Sequence, residues 1–218
     1  MFRPLRLIML AILGFLVYWG FFAVPGNNKS ETAFDPDQLA ARELAVWQSA
    51  RSGEELPTFL NTVEMLREQY RYSWFRAAHA GYYLARATGQ FVPMATRFER
   101  VLPDLEEAAT VERDWRGATF KPTDAARAQL TWWVTLKMPN LSDNDDVPAL
   151  IAKDYSIRYG ISAGELYETA TYRAEAVRLR DSTKLDPDWA AIGKLLSRSY
   201  KALHTTLQHA TRKPTATS

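Results

Sequence analysis

An apolar run from Leu7 to Val24 constrains this chain more than any other feature. It carries no charged residue, and a transmembrane helix needs about 20 apolar residues to cross about 30 Å of hydrocarbon. Arg3 and Arg6 precede the run, whereas acidic residues predominate just after it. The positive-inside rule therefore places the N-terminus in the cytoplasm. The sequence predicts a cytoplasmic N-terminus at 1–6 and a single transmembrane anchor at 7–24.

A cleaved signal peptide is the alternative explanation of this run. Signal peptides have an apolar core of about 7–15 residues that ends at a cleavage site of small residues. Here the core is longer, and bulky aromatic side chains occupy the region where cleavage would occur, namely Tyr18, Trp19, Phe21 and Phe22. The pattern favours an anchor that is retained.

The charge balance of the remaining chain argues against nucleic acid as a partner. Two of the 27 basic residues precede the run, so the rest of the chain carries 25 basic and 25 acidic side chains. Nucleic-acid binding requires a concentrated basic face, and no basic cluster occurs in the sequence. The chain has no cysteine, which excludes disulfides, thiolate nucleophiles and cysteine-based metal sites.

The rest of the sequence predicts an all-α fold. Apolar residues recur every three or four positions, and Asp35-Pro36-Asp37 and Asp186-Pro187-Asp188 both resemble a capped helix start. We expect a linker at 25–35, one domain of about seven or eight antiparallel helices at 36–212, and a disordered tail at 213–218. The expected helices cover about 36–51, 56–88 (one helix, or two with a break near Tyr72-Ser73), 91–113, 122–137, 146–158, 163–181 and 187–210.

The sequence contains no catalytic, cofactor-binding or metal-binding motif that we recognise. His204 and His209 are five residues apart, whereas a helical zinc pair is spaced by four. Glu64 and Glu68 share a helix face, but ion pairing on a solvated surface explains such a pair as well as catalysis does. We therefore predict no cofactor, no metal and no enzymatic activity.

Two groups of residues are singled out for other roles. Exposed tryptophans are enriched at protein interfaces, and Trp115, Trp132 and Trp133 are the candidates for a partner surface. Trp115 is expected in a loop. Arg173 and Arg180 lie seven residues apart on a semi-apolar helix face, where they could form buried ion pairs. The candidate acidic partners are Glu43 and Glu64.

These features lead to a functional hypothesis. The chain is expected to be a single-pass protein of the bacterial inner membrane, bound to the bilayer through 7–24, with its helical domain in the periplasm. That domain is expected to bind other envelope proteins in a secretion, conjugation or assembly complex. One alternative is a membrane-anchored sensor or ligand-binding subunit. Another is a cell-wall or carbohydrate-active enzyme that uses carboxylates such as Glu43, Glu64 and Glu68.

Overall fold

The fold is entirely helical in the residues that the structure describes. The computed structural model describes residues 3–22, 31–138, 146–182 and 186–212, with the side chains of 3–7, 21 and 22 left out. These ranges contain nine α-helices, a 3₁₀ turn at Phe98–Val101 and no strand, which confirms the all-α prediction. The helices are α1 (Arg3–Phe22), α2 (Pro36–Arg51), α3 (Glu55–Tyr70), α4 (Trp74–Phe91), α5 (Leu102–Arg116), α6 (Pro122–Lys137), α7 (Val147–Tyr159), α8 (Ala163–Arg180) and α9 (Trp189–Arg212).

Several helix ends form as their local sequence predicts. Asp35 caps α2 by accepting hydrogen bonds from the backbone amides of Asp37 at 2.9 Å and Gln38 at 3.1 Å. The long apolar stretch divides into α3 and α4 because Arg71 adopts a left-handed conformation with φ of 56°, which ends a helix. Ser73 then caps α4.

Other helix ends differ from the prediction. Helix α9 begins at Trp189, and the carboxylate of Asp188 accepts the Ala191 amide at 2.9 Å. Asp188, and not Asp186, therefore serves as the acceptor at this end. Trp115 lies in the last turn of α5, so the prediction of a loop there is wrong.

Helices α2 to α9 form a closed ring. Each of them packs mainly on its neighbours in the chain, and α9 returns to pack on α2. The short connections make neighbouring helices antiparallel. At the closure, Asp37 accepts hydrogen bonds from Ser197 at 2.5 Å and Lys201 at 2.8 Å. We call this unit the eight-helix ring; the apolar core lies between its adjacent helices.

Helix α1 lies outside the ring and contacts it through α4. Its buried Gly20 lies against the ring of Phe75. Judged by length and hydropathy across the described residues, no helix meets the requirements of a membrane span. The predicted anchor at 7–24 extends past the described side chains at both ends. The predicted tail at 213–218, and most of the predicted linker at 25–35, lie outside the described residues.

Candidate functional site

A cavity of about 140 Å³ lies inside the eight-helix ring. Every helix of the ring contributes at least one side chain to its wall. Apolar residues of α3, α4 and α5 form one part of the wall, including Leu66, Leu84 and Ala109. Charged residues of α2, α5, α7 and α8 form another part, so the cavity combines an apolar wall with convergent polar groups. This combination is typical of small-molecule sites.

The charged wall includes an ion pair between α2 and α8. The Arg173 guanidinium binds both carboxylate oxygens of Glu43, with Nη1 at 2.5 Å from Oε2. The Tyr200 hydroxyl from α9 donates to the same Oε2 at 2.6 Å. Both charged side chains are largely buried. A bidentate arginine–carboxylate pair fixes geometry as well as charge, so this contact holds three helices of the ring in register.

A second charged group is centred on Arg158 of α7. Its Nε donates to Asp154 at 2.7 Å, its Nη1 to Glu112 of α5 at 2.5 Å, and its Nη2 to Gln129 of α6 at 2.8 Å. All its donor-bearing nitrogens are thereby bound. Asp154 also accepts the indole N–H of Trp132 at 3.1 Å. Arg158 thus joins α5, α6 and α7 through one side chain.

Through Arg116, the network continues to the segment that precedes α2. This side chain donates to Glu112 at 2.6 Å and also pairs with Glu31, which precedes α2. Its guanidinium carbon lies 4.7 Å from the centre of the Tyr159 ring, within the range of a cation–π contact. Glu112 therefore binds two arginines, one through each oxygen of its carboxylate.

Helical spacing explains how the sequence builds this network. Asp154 and Arg158 are four residues apart on α7, and Glu112 and Arg116 are four apart on α5, so each pair shares a helix face. The neighbouring Trp115, Tyr155 and Tyr159 could have marked these faces as buried. Our sequence analysis missed Glu112, Arg116, Asp154 and Arg158, because an acid–arginine pair at this spacing is also common on solvated surfaces.

Burial changes the titration of the groups around the cavity. It raises the pKa of the hydroxyls of Tyr70, Tyr72, Tyr155, Tyr159 and Tyr200 above the ordinary tyrosine value. Nearby Glu112 raises the pKa of Tyr70 and Tyr72 further, and Glu43 does the same for Tyr200. These tyrosines stay neutral because a phenolate would lose its hydration and meet a carboxylate.

The arginines stay charged despite their burial. Burial lowers the pKa of Arg158, but Asp154 and Glu112 outweigh it and raise that pKa well above its ordinary value. Burial likewise lowers the pKa of Arg173, but Glu43 outweighs it and raises that pKa well above its ordinary value. Arg116, Arg158 and Arg173 face three buried carboxylates, those of Glu43, Glu112 and Asp154. Each carboxylate of the lining is thus paired with an arginine, two of which line the cavity and one of which, Arg116, lies behind it, so the site suits an uncharged or zwitterionic occupant.

The structure places the predicted partner-surface tryptophans between helices. The Trp115 indole donates to the Tyr70 carbonyl at 2.6 Å, and Arg76 stacks on its ring. Trp133 packs 5.2 Å from the ring of Phe91, centre to centre. Trp132, Trp115 and Trp133 are all half-buried. Their role at a partner surface stays a prediction.

The predicted ion-pairing residues separate into an inner and an outer set. Glu43 and Arg173 meet at the cavity. Glu64 instead pairs with Arg42, and both side chains are substantially exposed. Arg180 pairs with the adjacent Asp181 at 2.7 Å and lies 4.5 Å over the Trp47 ring.

The described side chains include no group of three or more histidine, aspartate or glutamate residues arranged to hold a metal. Comparison of the chain with protein-family models, curated proteins and solved structures found no match.

Proposed function

We propose that this chain is a single-pass membrane protein whose eight-helix ring lies outside the cytoplasm and binds other proteins of a bacterial envelope assembly. The observation that carries the proposal is the surface of α1. Its ten large apolar side chains between Ile8 and Trp19 are 46–65% exposed. A helix that presents apolar side chains on all sides is suited to lipid rather than water. The sequence extends this apolar run to Leu7 and Val24.

The charged lining of the ring supports the proposal that the domain binds other proteins through its outer surface. Its arginines and carboxylates bind one another, so they contribute to the shape of the ring. The outer surface is then the part of the domain that meets partners. A preformed helical scaffold of this kind can present side chains to a partner with little loss of conformational entropy.

Alkaline extraction of membranes and a C-terminal alkaline phosphatase fusion test the anchor and its orientation. The full chain should stay in the membrane pellet and give an active fusion. An L13R/L16R double variant should move to the soluble fraction, because each arginine near the centre of a membrane helix costs about 2.5–3.5 kcal/mol. The control is Tyr167→Arg at an exposed position on α8, which should stay in the pellet. A wild-type chain released by alkali would contradict the anchor.

Purification of the tagged full chain from native membranes in mild detergent tests the partner. A second envelope protein in fixed stoichiometry would support the proposal. A chain that elutes alone at the mass of a monomer in its detergent micelle would contradict the interaction role and leave the anchor standing.

The cavity favours a second candidate function, that of a membrane-anchored ligand-binding subunit. Its apolar wall, and a polar wall whose carboxylates are already paired with arginines, suit a small uncharged or zwitterionic molecule. Native mass spectrometry of the detergent-purified chain would detect such a molecule as an added mass. The added mass should disappear in Ala109→Leu, which fills the cavity, and should persist in Tyr167→Arg. An unliganded wild-type chain would count against this function.

A further inference from the structure

The exposed apolar side chains of the eight-helix ring are concentrated on one hairpin. Within the described part of the ring, six large apolar or aromatic side chains are strongly exposed. Five of them lie on α3, on α4 or directly after α4: Leu56, Leu60, Phe75, Tyr82 and Val92. We call these five residues the hairpin patch. The sixth, Tyr167 on α8, donates its hydroxyl to Asp146 at 2.8 Å.

The residues of the hairpin patch are exposed along the length of the hairpin, from the first turn of α4 to the start of α3. Leu56 and Leu60 are four residues apart on α3, and Phe75 and Tyr82 are seven apart on α4, so each pair shares a face. The two helices pack closely through Gly81, where an added Cβ would lie 3.5 Å from Val63. On α3, Leu60 and Leu56 lie about one and two turns before Val63, near the N-terminal end of the helix, and both are exposed.

The same hairpin carries the contact with α1. Gly20, near the C-terminal end of α1, lies against the ring of Phe75 in the first turn of α4. The hairpin patch thus begins where the apolar helix meets the ring. Helix α4 then extends about 25 Å away from this junction, at 1.5 Å per residue.

The charge of the hairpin is balanced. Residues 54–92 contain four glutamates and four arginines, so the segment has no net attraction for anionic headgroups. All four arginines are already engaged: Arg86 pairs with Asp104 and Arg71 with Glu68, whereas Arg76 stacks on Trp115 and Arg67 on Trp74. Apolar contact, rather than charge, is the interaction that this surface offers.

We propose that the hairpin patch lies against the lipid surface beside the point where α1 enters it, so that α3 and α4 rest in the plane of the membrane interface. The proposal rests on the membrane anchor of the proposed function. Helices with one apolar face bury that face in the boundary between headgroups and acyl chains, and Tyr82 is of the type enriched there. The tether keeps the patch close to lipid at all times, so a small apolar area suffices.

The chain has no native cysteine, which allows one fluorescent probe per molecule. The full chain with Leu60→Cys or Val92→Cys, labelled with an environment-sensitive nitrobenzoxadiazole dye, is reconstituted into phosphatidylcholine vesicles. The matched control is Glu175→Cys, an exposed position on α8. Helix α8 lies opposite α4 in the eight-helix ring. All three sites are at the surface, so the substitutions leave the core intact.

Brominated phosphatidylcholine should quench the probes at residues 60 and 92 several-fold more strongly than the probe at residue 175. Iodide in the aqueous phase should show the opposite order. Replacing a third of the lipid by anionic phosphatidylglycerol should leave both results unchanged, because the hairpin is electrically balanced.

Equal quenching at all three sites in vesicles that retain the protein would overturn the lipid contact and leave the anchor intact. The patch would then be a surface for a protein partner. A chain that does not float with the vesicles would overturn the anchor itself, and the lipid contact with it.

Discussion

Glu43 and Glu64 show how two similar residues acquire different roles. Glu43 lies on α2 and Glu64 on the adjacent α3, and each pairs with an arginine. Glu43 meets Arg173 inside the ring, 130 residues away in the chain, whereas Glu64 meets Arg42 at the surface. The sequence identified both as candidates for ion pairing. It could not tell which of the two would be buried. Burial depends on which distant helices pack against α2, and the residues nearby in the chain do not reveal this.

Removing the charge of Glu43 should destabilise the protein strongly. Glu43→Gln leaves the buried Arg173 without a carboxylate, and breaking a buried pair in this way costs about 3–5 kcal/mol. Glu64→Gln should cost less than about 1 kcal/mol, since its pair with Arg42 is exposed. Urea unfolding of the detergent-solubilised chain, followed by circular dichroism, measures both. Equal losses would show that the buried pair contributes no more than the surface pair.

At the scale of the element, local chemistry decided which helix ends were predictable. The α2 boundaries of 36–51 match the prediction, because Asp35 and Pro36 form a strong start signal. The predicted helix at 91–113 begins later, since residues 92–97 do not form an α-helix and a 3₁₀ turn precedes α5. The start of α9 is shifted because Asp186 and Asp188 offer two possible acceptors around one proline, and only the three-dimensional path of the connection selects between them.

The end of α7 supplies a prediction at this scale. Gly160 has φ of 66°, in the left-handed region, and its amide bonds to the Ser156 carbonyl at 2.9 Å. Gly160→Ala should lower the free energy of unfolding by about 1–2 kcal/mol, the cost of this conformation for a residue with a Cβ. Gly164→Ala is the matched control, because Gly164 is helical and an added Cβ meets nothing within 4 Å. It should be neutral or stabilising. Thermal melts of both variants make the comparison.

At the scale of the whole molecule, the closed ring is the feature that the sequence did not predict. Periodicity and short connections indicated eight or so antiparallel helices, which is the number in the ring. They did not indicate that α9 would pack on α2, because that contact joins the two ends of the domain. The cavity and its charged lining follow from the closure, so the sequence indicated Glu43 and Arg173 as possible partners but not that Glu112, Asp154 and Arg158 would join them around one cavity.

The ring should lose stability in alkali. Five tyrosines around the cavity have a pKa above the ordinary value in the folded protein. Above pH about 10 the unfolded chain releases these protons while the folded chain keeps them, so stability falls as the pH rises. The tyrosinate absorbance of these five residues, half of the ten tyrosines in the chain, should therefore appear together with the loss of helical circular dichroism in one cooperative step. Ionisation of all ten tyrosines near pH 10 with the helices intact would contradict the burial of these hydroxyls.

The ring closes through its first and last helices, so its folding depends on the order in which the ribosome makes them. Among the helices of the ring, the ribosome makes α2 first and α9 last, so the ring stays open until α9 emerges. Until then Glu43 lacks Tyr200, and α2 lacks the helix that packs beside it. The domain therefore completes its fold only after α9 has been made, and a stop codon before α9 leaves the ring open.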